Sequence, residues 1–137
     1  LGCTDQKVLI LDGDGSLLMN LGSLVTIGSC GPENLWHFVL HNAIYEVNGE
    51  FPIPGGFETD FSSIATAAGF PRSYNFDNIE ELRKGLPEVL AGPGPVFVCL
   101  KVICGEHYPR NYETIHDARQ RASFKAALAT RLATSRS

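Results

Sequence analysis

Two residues with oxygen-bearing side chains follow short apolar segments of the chain. Asp14 comes just after residues 8–11, and Asn42 comes just after residues 35–40. If both segments are neighbouring strands of a parallel sheet, their carboxyl ends meet at the edge where ligands bind in open α/β folds. One carboxylate and one amide oxygen are ligands that magnesium takes from proteins. The spacing therefore predicts a Mg²⁺ site formed by Asp14 and Asn42.

The residues around Asp14 add a second feature, a place for phosphate. Gly13 and Gly15 allow close approach of a ligand to the backbone, and Ser16 begins a predicted helix. The free N–H groups and the dipole of a helix N-terminus attract anions. A glycine-flanked aspartate is by itself a common turn. The tripeptide therefore indicates a phosphate site only in combination with the spacing to Asn42.

Alternating strand-like and helix-like segments must position these residues. Apolar, β-rich runs predict strands over residues 8–11, 35–40, 72–76 and 96–102. Helical spacing and capping predict helices over residues 16–27, 61–68 with Asp60 as N-cap, 78–90 and 113–132. A long loop rich in Asn, Gly and Pro is predicted over residues 43–59. This alternation predicts an α/β fold with three α/β/α layers and a mostly parallel sheet, as a single domain over residues 1–137.

The composition narrows the class of protein. The 137 residues are 44% hydrophobic and 19% charged with a net charge of −4, which is typical of a globular domain. The late basic residues are spread along the last predicted helix without interleaved stacking aromatics, which does not favour nucleic acid as a partner. No apolar run is long enough for a membrane span, and no signal-peptide pattern opens the chain. Four cysteines without CxxC spacing indicate reduced thiols and a cytoplasmic location.

The order of these motifs resembles that of thiamine diphosphate enzymes. Residues 13–16, a helix, a strand and then His41-Asn42 are similar to the family's GDG motif and its terminal asparagine pair. Residues 15–22 and 92–98 resemble the corresponding segments of 2-oxo-acid decarboxylases, and the resemblance extends to about Val102. Within this superfamily the sequence is similar to phosphonopyruvate and sulfopyruvate decarboxylases, whose diphosphate-binding part is compact and sometimes a separate subunit.

The resemblance implies a role for each residue of the motif. The residues that bind thiamine diphosphate would be Gly13, Asp14, Gly15, Ser16, Asn42 and Ile44. The Mg²⁺ ligands would be Asp14, Asn42 and the backbone carbonyl of Ile44. The chain departs from the family at His41, where the family usually has Asn or Asp, and at residues 46–51, which only loosely resemble its cofactor-closing loop.

The implied reaction is the decarboxylation of a small 2-oxo acid, in which the cofactor is the electron sink. In this superfamily the glutamate that activates the cofactor belongs to a separate pyrimidine-binding domain, and the sequence shows no such domain. The family's strand and helix before the first strand are also missing if Leu1 is the true start. We therefore expect an oligomer in which this chain is catalytic only with a pyrimidine-binding domain or subunit.

Two alternatives remain open from the sequence. The chain could be a fragment of an acetolactate-synthase-like carboligase, or a non-catalytic phosphate- or nucleotide-binding module. Asn42 distinguishes a thiamine diphosphate site from the phosphate- or nucleotide-binding module, because a generic phosphate module needs no amide oxygen at the end of the neighbouring strand. His41 is a candidate for proton transfer or substrate contact, although a structural role is commoner for a histidine beside an apolar strand. His37, inside that strand, is expected to be a packing residue.

Overall fold

A computed structural model describes residues 6–105 and 117–134 of the chain. The chain divides into two compact units, one with residues 7–104 and one that includes residues 117–134. The first unit contains the sheet and every candidate site residue. That the whole chain is a single domain stays a prediction.

The first unit is built on a four-stranded sheet in which all neighbours are parallel. Its strands are β1 (Val8–Gly13), β2 (Leu35–His41), β5 (Arg72–Phe76) and β6 (Val96–Lys101). Their order across the sheet is β1-β2-β6-β5. A separate antiparallel pair is formed by β3 (Ile44–Tyr45) and β4 (Phe51–Pro52). Because β1 and β2 are neighbours, their carboxyl ends lie side by side, as the sequence predicts.

Helices cover both faces of the sheet. They are α1 (Asp14–Met19), α2 (Gly22–Cys30), α3 (Phe61–Ala67) and α4 (Ile79–Leu90). Successive side chains of a strand point to opposite faces, which gives the sheet two separate cores. Phe97 packs in the core that includes Phe61 of α3. Trp36 packs in the other core with Val89 of α4, to whose carbonyl its Nε1 donates at 2.8 Å. The predicted three-layer α/β/α architecture is therefore confirmed.

One predicted helix is two helices in the structure. The prediction of a continuous helix over residues 16–27 is wrong, because the chain leaves the helical conformation at Asn20, with φ −139° and ψ 48°. Asn20 and Gly22 have low helix propensity, so the break falls where a helix is least favoured. α2 ends at Cys30, and Gly31 after it takes the left-handed conformation that is common after a helix.

The predicted loop over residues 43–59 contains short regular structure. Besides the β3–β4 pair, it has 3₁₀ turns at Glu46–Asn48 and Gly56–Glu58. Asp60 is the N-cap of α3, as predicted, because its carboxylate accepts from the backbone N–H of Ser63 at 3.0 Å. β1 and β2 extend further than predicted, to Gly13 and His41.

The second unit contains, in its described part, the helix α5 (Ala118–Thr134). The sequence predicts a helix over residues 113–132, and residues 113–116 lie outside the described part of the chain. Among the helices described here, none has the length and apolar character needed to cross a bilayer.

Candidate functional site

A cavity of about 330 Å³ lies where β1 and β2 end. The six predicted cofactor-binding residues all line it, namely Gly13, Asp14, Gly15, Ser16, Asn42 and Ile44. The lining also includes Leu11, Asp12, Met19, Leu40 and Tyr45, and Glu46, Val47 and Asn48 of the segment 46–51. The structure thus brings the predicted residues to one place, and their roles as ligands stay predictions.

Asp14 is held in a fixed orientation at the first position of α1. Its side chain is buried, with 2% of the residue exposed. Oδ1 accepts from the backbone N–H of Gly15 at 2.7 Å, and Oδ2 accepts from the backbone N–H of Ala43 at 2.7 Å. A carboxylate has about four lone-pair sites, so each oxygen can still accept from a ligand.

Asn42 is held beside Asp14 by two hydrogen bonds of its own. Its Oδ1 accepts from the backbone N–H of Ile44 at 3.1 Å, and its Nδ2 donates to Glu46 Oε2 at 2.9 Å. The second bond defines which end of the amide is oxygen. Ile44 lies opposite Pro52 in the β3–β4 pair, next to the hydrogen-bonded pair of Ala43 and Ile53.

Ala43, between Asn42 and Ile44 in the chain, has an unusual backbone conformation. Its φ is 64°, in the left-handed region that costs a non-glycine residue about 1–2 kcal/mol. The conformation is stabilised on both sides, since the N–H donates to Asp14 and the carbonyl accepts from the N–H of Ile53 at 3.0 Å. Backbone strain of this kind is concentrated at functional sites.

The glycines and the serine of the motif are placed differently from one another. A Cβ on Gly15 would lie 2.5 Å from Cδ1 of the Tyr45 ring, so the close packing of α1 on Tyr45 requires glycine. A Cβ on Gly13 would meet nothing within 4 Å and would occupy open space at the cavity. Ser16 is exposed and lines the cavity from the first turn of α1.

His41 lies behind the cavity rather than in its lining. It is fully buried, and its Nε2 is 3.1 Å from the carbonyl oxygen of Gly56 and 3.8 Å from Asp14 Oδ2. Its ring packs edge-on against Phe61 at a centroid distance of 5.0 Å. The structure therefore places the candidate catalytic histidine next to the predicted metal ligand and out of contact with the cavity.

Asp12 lines the cavity, a position that the sequence pattern does not single out. Its Oδ2 is 3.3 Å from Nε2 of His37, which is buried. Burial lowers the pKa of His37 more than the neighbouring Asp12 raises it, so the imidazole is neutral at pH 7 and its Nε2–H donates to the carboxylate. His37 is thus a packing residue, as predicted, that also orients a carboxylate at the cavity.

The charges of the lining decide what kind of ligand can bind. Of the described residues that line the cavity, Asp12, Asp14 and Glu46 are acidic and none is Lys, Arg or His. A diphosphate alone would be repelled by these carboxylates, whereas a divalent cation between them would attract it. The described residues contain no group of three or more His, Cys, Asp or Glu suited to a metal. The oxygen-bearing side chains of the lining fit a hard divalent cation such as Mg²⁺.

Known proteins are similar to this chain over most of its length. Residues 1–100 match the family model of the thiamine pyrophosphate enzyme C-terminal TPP binding domain. A protein named phosphonopyruvate decarboxylase, from Streptomyces viridochromogenes, is 35% identical over 100 residues, which are 72% of this chain and 25% of that protein. A protein named sulfopyruvate decarboxylase subunit beta, from Methanocaldococcus jannaschii, is 38% identical over 90 residues, which are 66% of this chain and 47% of that subunit.

A second sulfopyruvate decarboxylase subunit beta, from Methanococcus maripaludis, is 34% identical over 107 residues, covering 78% of this chain and 54% of the subunit. The matched segment thus spans about half the length of these beta subunits and a quarter of the phosphonopyruvate decarboxylase. Residues 1–100, which match the family model, include every residue that lines the cavity. The chain belongs to the family of C-terminal TPP-binding domains of thiamine pyrophosphate enzymes.

Proposed function

We propose that this chain binds thiamine diphosphate and Mg²⁺ in the cavity at the ends of β1 and β2, as one component of a 2-oxo-acid decarboxylase. The observation that carries the proposal is the position of Asp14 and Asn42, which follow neighbouring parallel strands and line one cavity. The family match supports the cofactor, and the acidic lining supports the metal.

In this proposal each of the six predicted ligand residues has a defined task. Asp14, Asn42 and the carbonyl of Ile44 hold Mg²⁺, and the backbone of Gly13 and Gly15 contacts the diphosphate. Ser16 donates a hydrogen bond to the diphosphate from its exposed position. When bound, the cofactor supplies the electron sink that stabilises the carbanion left by loss of carbon dioxide. The protein contributes binding, orientation and charge neutralisation.

The substrate in this proposal is a small 2-oxo acid. The relatives named above are all called decarboxylases, which favours decarboxylation over the carboligase alternative. By their names, these relatives act on an acid with a phosphonate group and on one with a sulfonate group. Assay of both acids with the assembled enzyme, with product analysis for free aldehyde against a coupled product, tests the reaction class.

A partner that binds the pyrimidine completes the proposal. Several relatives are named as beta subunits, and this chain covers about half of them. Leu9, Leu11 and Leu40 point to one face of the sheet and are 54%, 74% and 44% exposed. Leu11 and Leu40 also line the cavity, so the apolar surface and the cavity are continuous. Exposed apolar surface of this kind supports a protein partner or an oligomer there.

A cytoplasmic location is part of the same proposal. Cys30, Cys99 and Cys104 are free thiols in the described part of the chain. Free thiols are typical of proteins that work in a reducing compartment.

The experiment that tests the proposal uses Asn42→Ala, with Asn20→Ala as a matched control outside the cavity lining. All predicted ligands of the metal and the diphosphate lie in this chain, so the full chain alone is expected to bind thiamine diphosphate in the presence of Mg²⁺. Calorimetry should show binding by wild type and Asn20→Ala, and loss of binding in Asn42→Ala. Binding of thiamine diphosphate that persists in Asn42→Ala and in EDTA would favour the metal-free phosphate-binding module.

A further inference from the structure

His41 connects three parts of the first unit through one buried imidazole ring. It is the last residue of β2, and none of its surface is exposed. Its Nε2 is 3.1 Å from the Gly56 carbonyl and its Nδ1 is 3.8 Å from Cys99 Sγ in β6. The third neighbour is Asp14, whose Oδ2 is 3.8 Å from the same Nε2.

The partners of His41 define its tautomer. A backbone carbonyl can only accept a hydrogen bond, so Nε2 must carry the proton that faces Gly56. In the neutral ring Nδ1 is then an acceptor. Burial raises the pKa of Cys99 to about 11, so its thiol is protonated at neutral pH and can donate to Nδ1. The ring is thus oriented from both sides, by Gly56 at Nε2 and by Cys99 at Nδ1.

Two aromatic rings pack beside the imidazole of His41. Phe61 of α3 contacts it edge-on, and Phe57, in the turn that begins at Gly56, lies at a centroid distance of 5.1 Å. Asp14 Oδ2 accepts from the Ala43 N–H at 2.7 Å, and the edge of the His41 ring lies beside it, with Nε2 at 3.8 Å.

We propose that His41 is a positioning residue for the metal site: its Nε2–H holds the Gly56 turn, and its buried ring, packed beside the Asp14 carboxylate, keeps that carboxylate in its direction. The inference rests on the proposed function and adds a residue that does not touch the cofactor. Groups that orient a metal ligand from behind typically change metal affinity by about 10–100-fold when removed. Neither proton transfer nor a change in the charge of His41 is part of the proposal.

The test compares His41→Gln with His41→Leu in the full chain. The amide nitrogen of Gln can take the place of imidazole Nε2 and donate to Gly56, whereas Leu has similar bulk and no donor. The measurement is the Mg²⁺ concentration that gives half-maximal binding of thiamine diphosphate. We expect His41→Leu to raise it about 10–100-fold and His41→Gln to leave it near the wild-type value. Equal values for all three proteins would contradict the inference.

Phe61→Leu is the control for a merely structural role. Phe61 is equally buried and contacts the same ring, but it has no polar atom. Its substitution is expected to lower the free energy of unfolding while the Mg²⁺ dependence stays at the wild-type value. An Mg²⁺ dependence that weakened in Phe61→Leu as much as in His41→Leu would assign the effect to packing and contradict the inference.

A further measurement uses the wild-type chain alone, so its result does not depend on whether a variant folds. Two-bond ¹H–¹⁵N spectra of the imidazole report which ring nitrogen of His41 is protonated. We expect the Nε2–H tautomer before and after addition of Mg²⁺ and thiamine diphosphate, and an Nδ1–H tautomer would contradict the inference. A wild-type chain that binds no thiamine diphosphate with Mg²⁺ would instead contradict the proposed function.

Discussion

The backbone N–H of Ala43 donates to Oδ2 of Asp14 over 2.7 Å, from a left-handed backbone conformation with φ 64°. The residue after one predicted metal ligand therefore orients the other. This bond connects the end of β2 to the start of α1, and it is buried. It makes the mutual placement of Asp14 and Asn42 a property of the backbone as well as of the two side chains.

The conformation of Ala43 predicts a sharp difference between two substitutions. Ala43→Val places a β-branched residue in the left-handed region and is expected to lower the free energy of unfolding by about 1–3 kcal/mol. Ala43→Gly can adopt the same conformation without strain and should keep the N–H in place. Urea denaturation measures the first effect, and the Mg²⁺ dependence of cofactor binding should weaken in Ala43→Val only. Equal stability of the two variants would argue against strain at Ala43.

The open space around Gly13 gives a second prediction. Gly13→Ala adds a methyl group in open space at the cavity, so stability should be unchanged while the affinity for thiamine diphosphate falls. Gly22→Ala, which also adds a methyl group in open space but lies outside the cavity lining, is the matched control. Calorimetry and thermal unfolding of both variants check the prediction. Unchanged affinity in Gly13→Ala would place the cofactor elsewhere.

Much of this arrangement follows from the sequence because it depends on local patterns. Apolar runs ending at Asp12-Gly13 and at His41-Asn42 predict two strands, and parallel neighbours bring their ends together. The Asp60 cap is likewise a local signal, since it needs only its own carboxylate and the N–H of Ser63. The convergence of Asp14 and Asn42 is therefore predictable from spacing.

The parts that the sequence does not predict depend on contacts between distant residues. Nothing in the residue type of Ala43 indicates a positive φ, which arises from bonds to Asp14 and Ile53. The role of Asp12 at the cavity depends on His37, 25 residues later in the chain. The break at Asn20 is different, because two local signals disagree there. Asn20 has low helix propensity, whereas the helical spacing of Leu17 and Leu24 favours a continuous helix.

The packing of Gly15 against Tyr45 gives a third prediction. Gly15→Ala would place a methyl group 2.5 Å from the Tyr45 ring, which must then move and disturb the cavity wall. Overpacking of this kind costs about 1–3 kcal/mol of stability. The double variant Gly15→Ala/Tyr45→Ala removes the clash and is expected to be more stable than the sum of the two single effects. A strictly additive cycle, measured by urea denaturation, would show that the ring is free to move away.

The cap of α3 predicts a dependence of stability on pH. Hydrogen bonds from Ser63 and Ser62 hold the pKa of Asp60 well below its usual range. A carboxylate with a lowered pKa in the folded state stabilises the fold above its unfolded pKa, near about 3.9, and this contribution is lost as the pH falls. Asp60→Ala should therefore cost about 1 kcal/mol at pH 7 and less at pH 3.

Asp60→Asn is the control for that experiment. Asn can still accept from the Ser63 N–H, and it carries no charge. The stability difference between wild type and Asp60→Asn is expected to decrease from pH 7 to pH 3 in urea denaturation. A difference that stays constant over this range would mean that the charge of Asp60 contributes nothing to the cap.

The central claim is that Asp14 and Asn42 together hold a divalent ion that neutralises the diphosphate of the cofactor. Its most direct test is calorimetric titration of thiamine diphosphate into the full chain with Mg²⁺ and with EDTA, for wild type and Asp14→Asn. We expect binding by wild type only when Mg²⁺ is present, and a loss of at least about 100-fold in affinity in Asp14→Asn, because this substitution removes a charged ligand of the metal. Wild-type binding of equal affinity in Mg²⁺ and EDTA, or unchanged binding by Asp14→Asn, would contradict it.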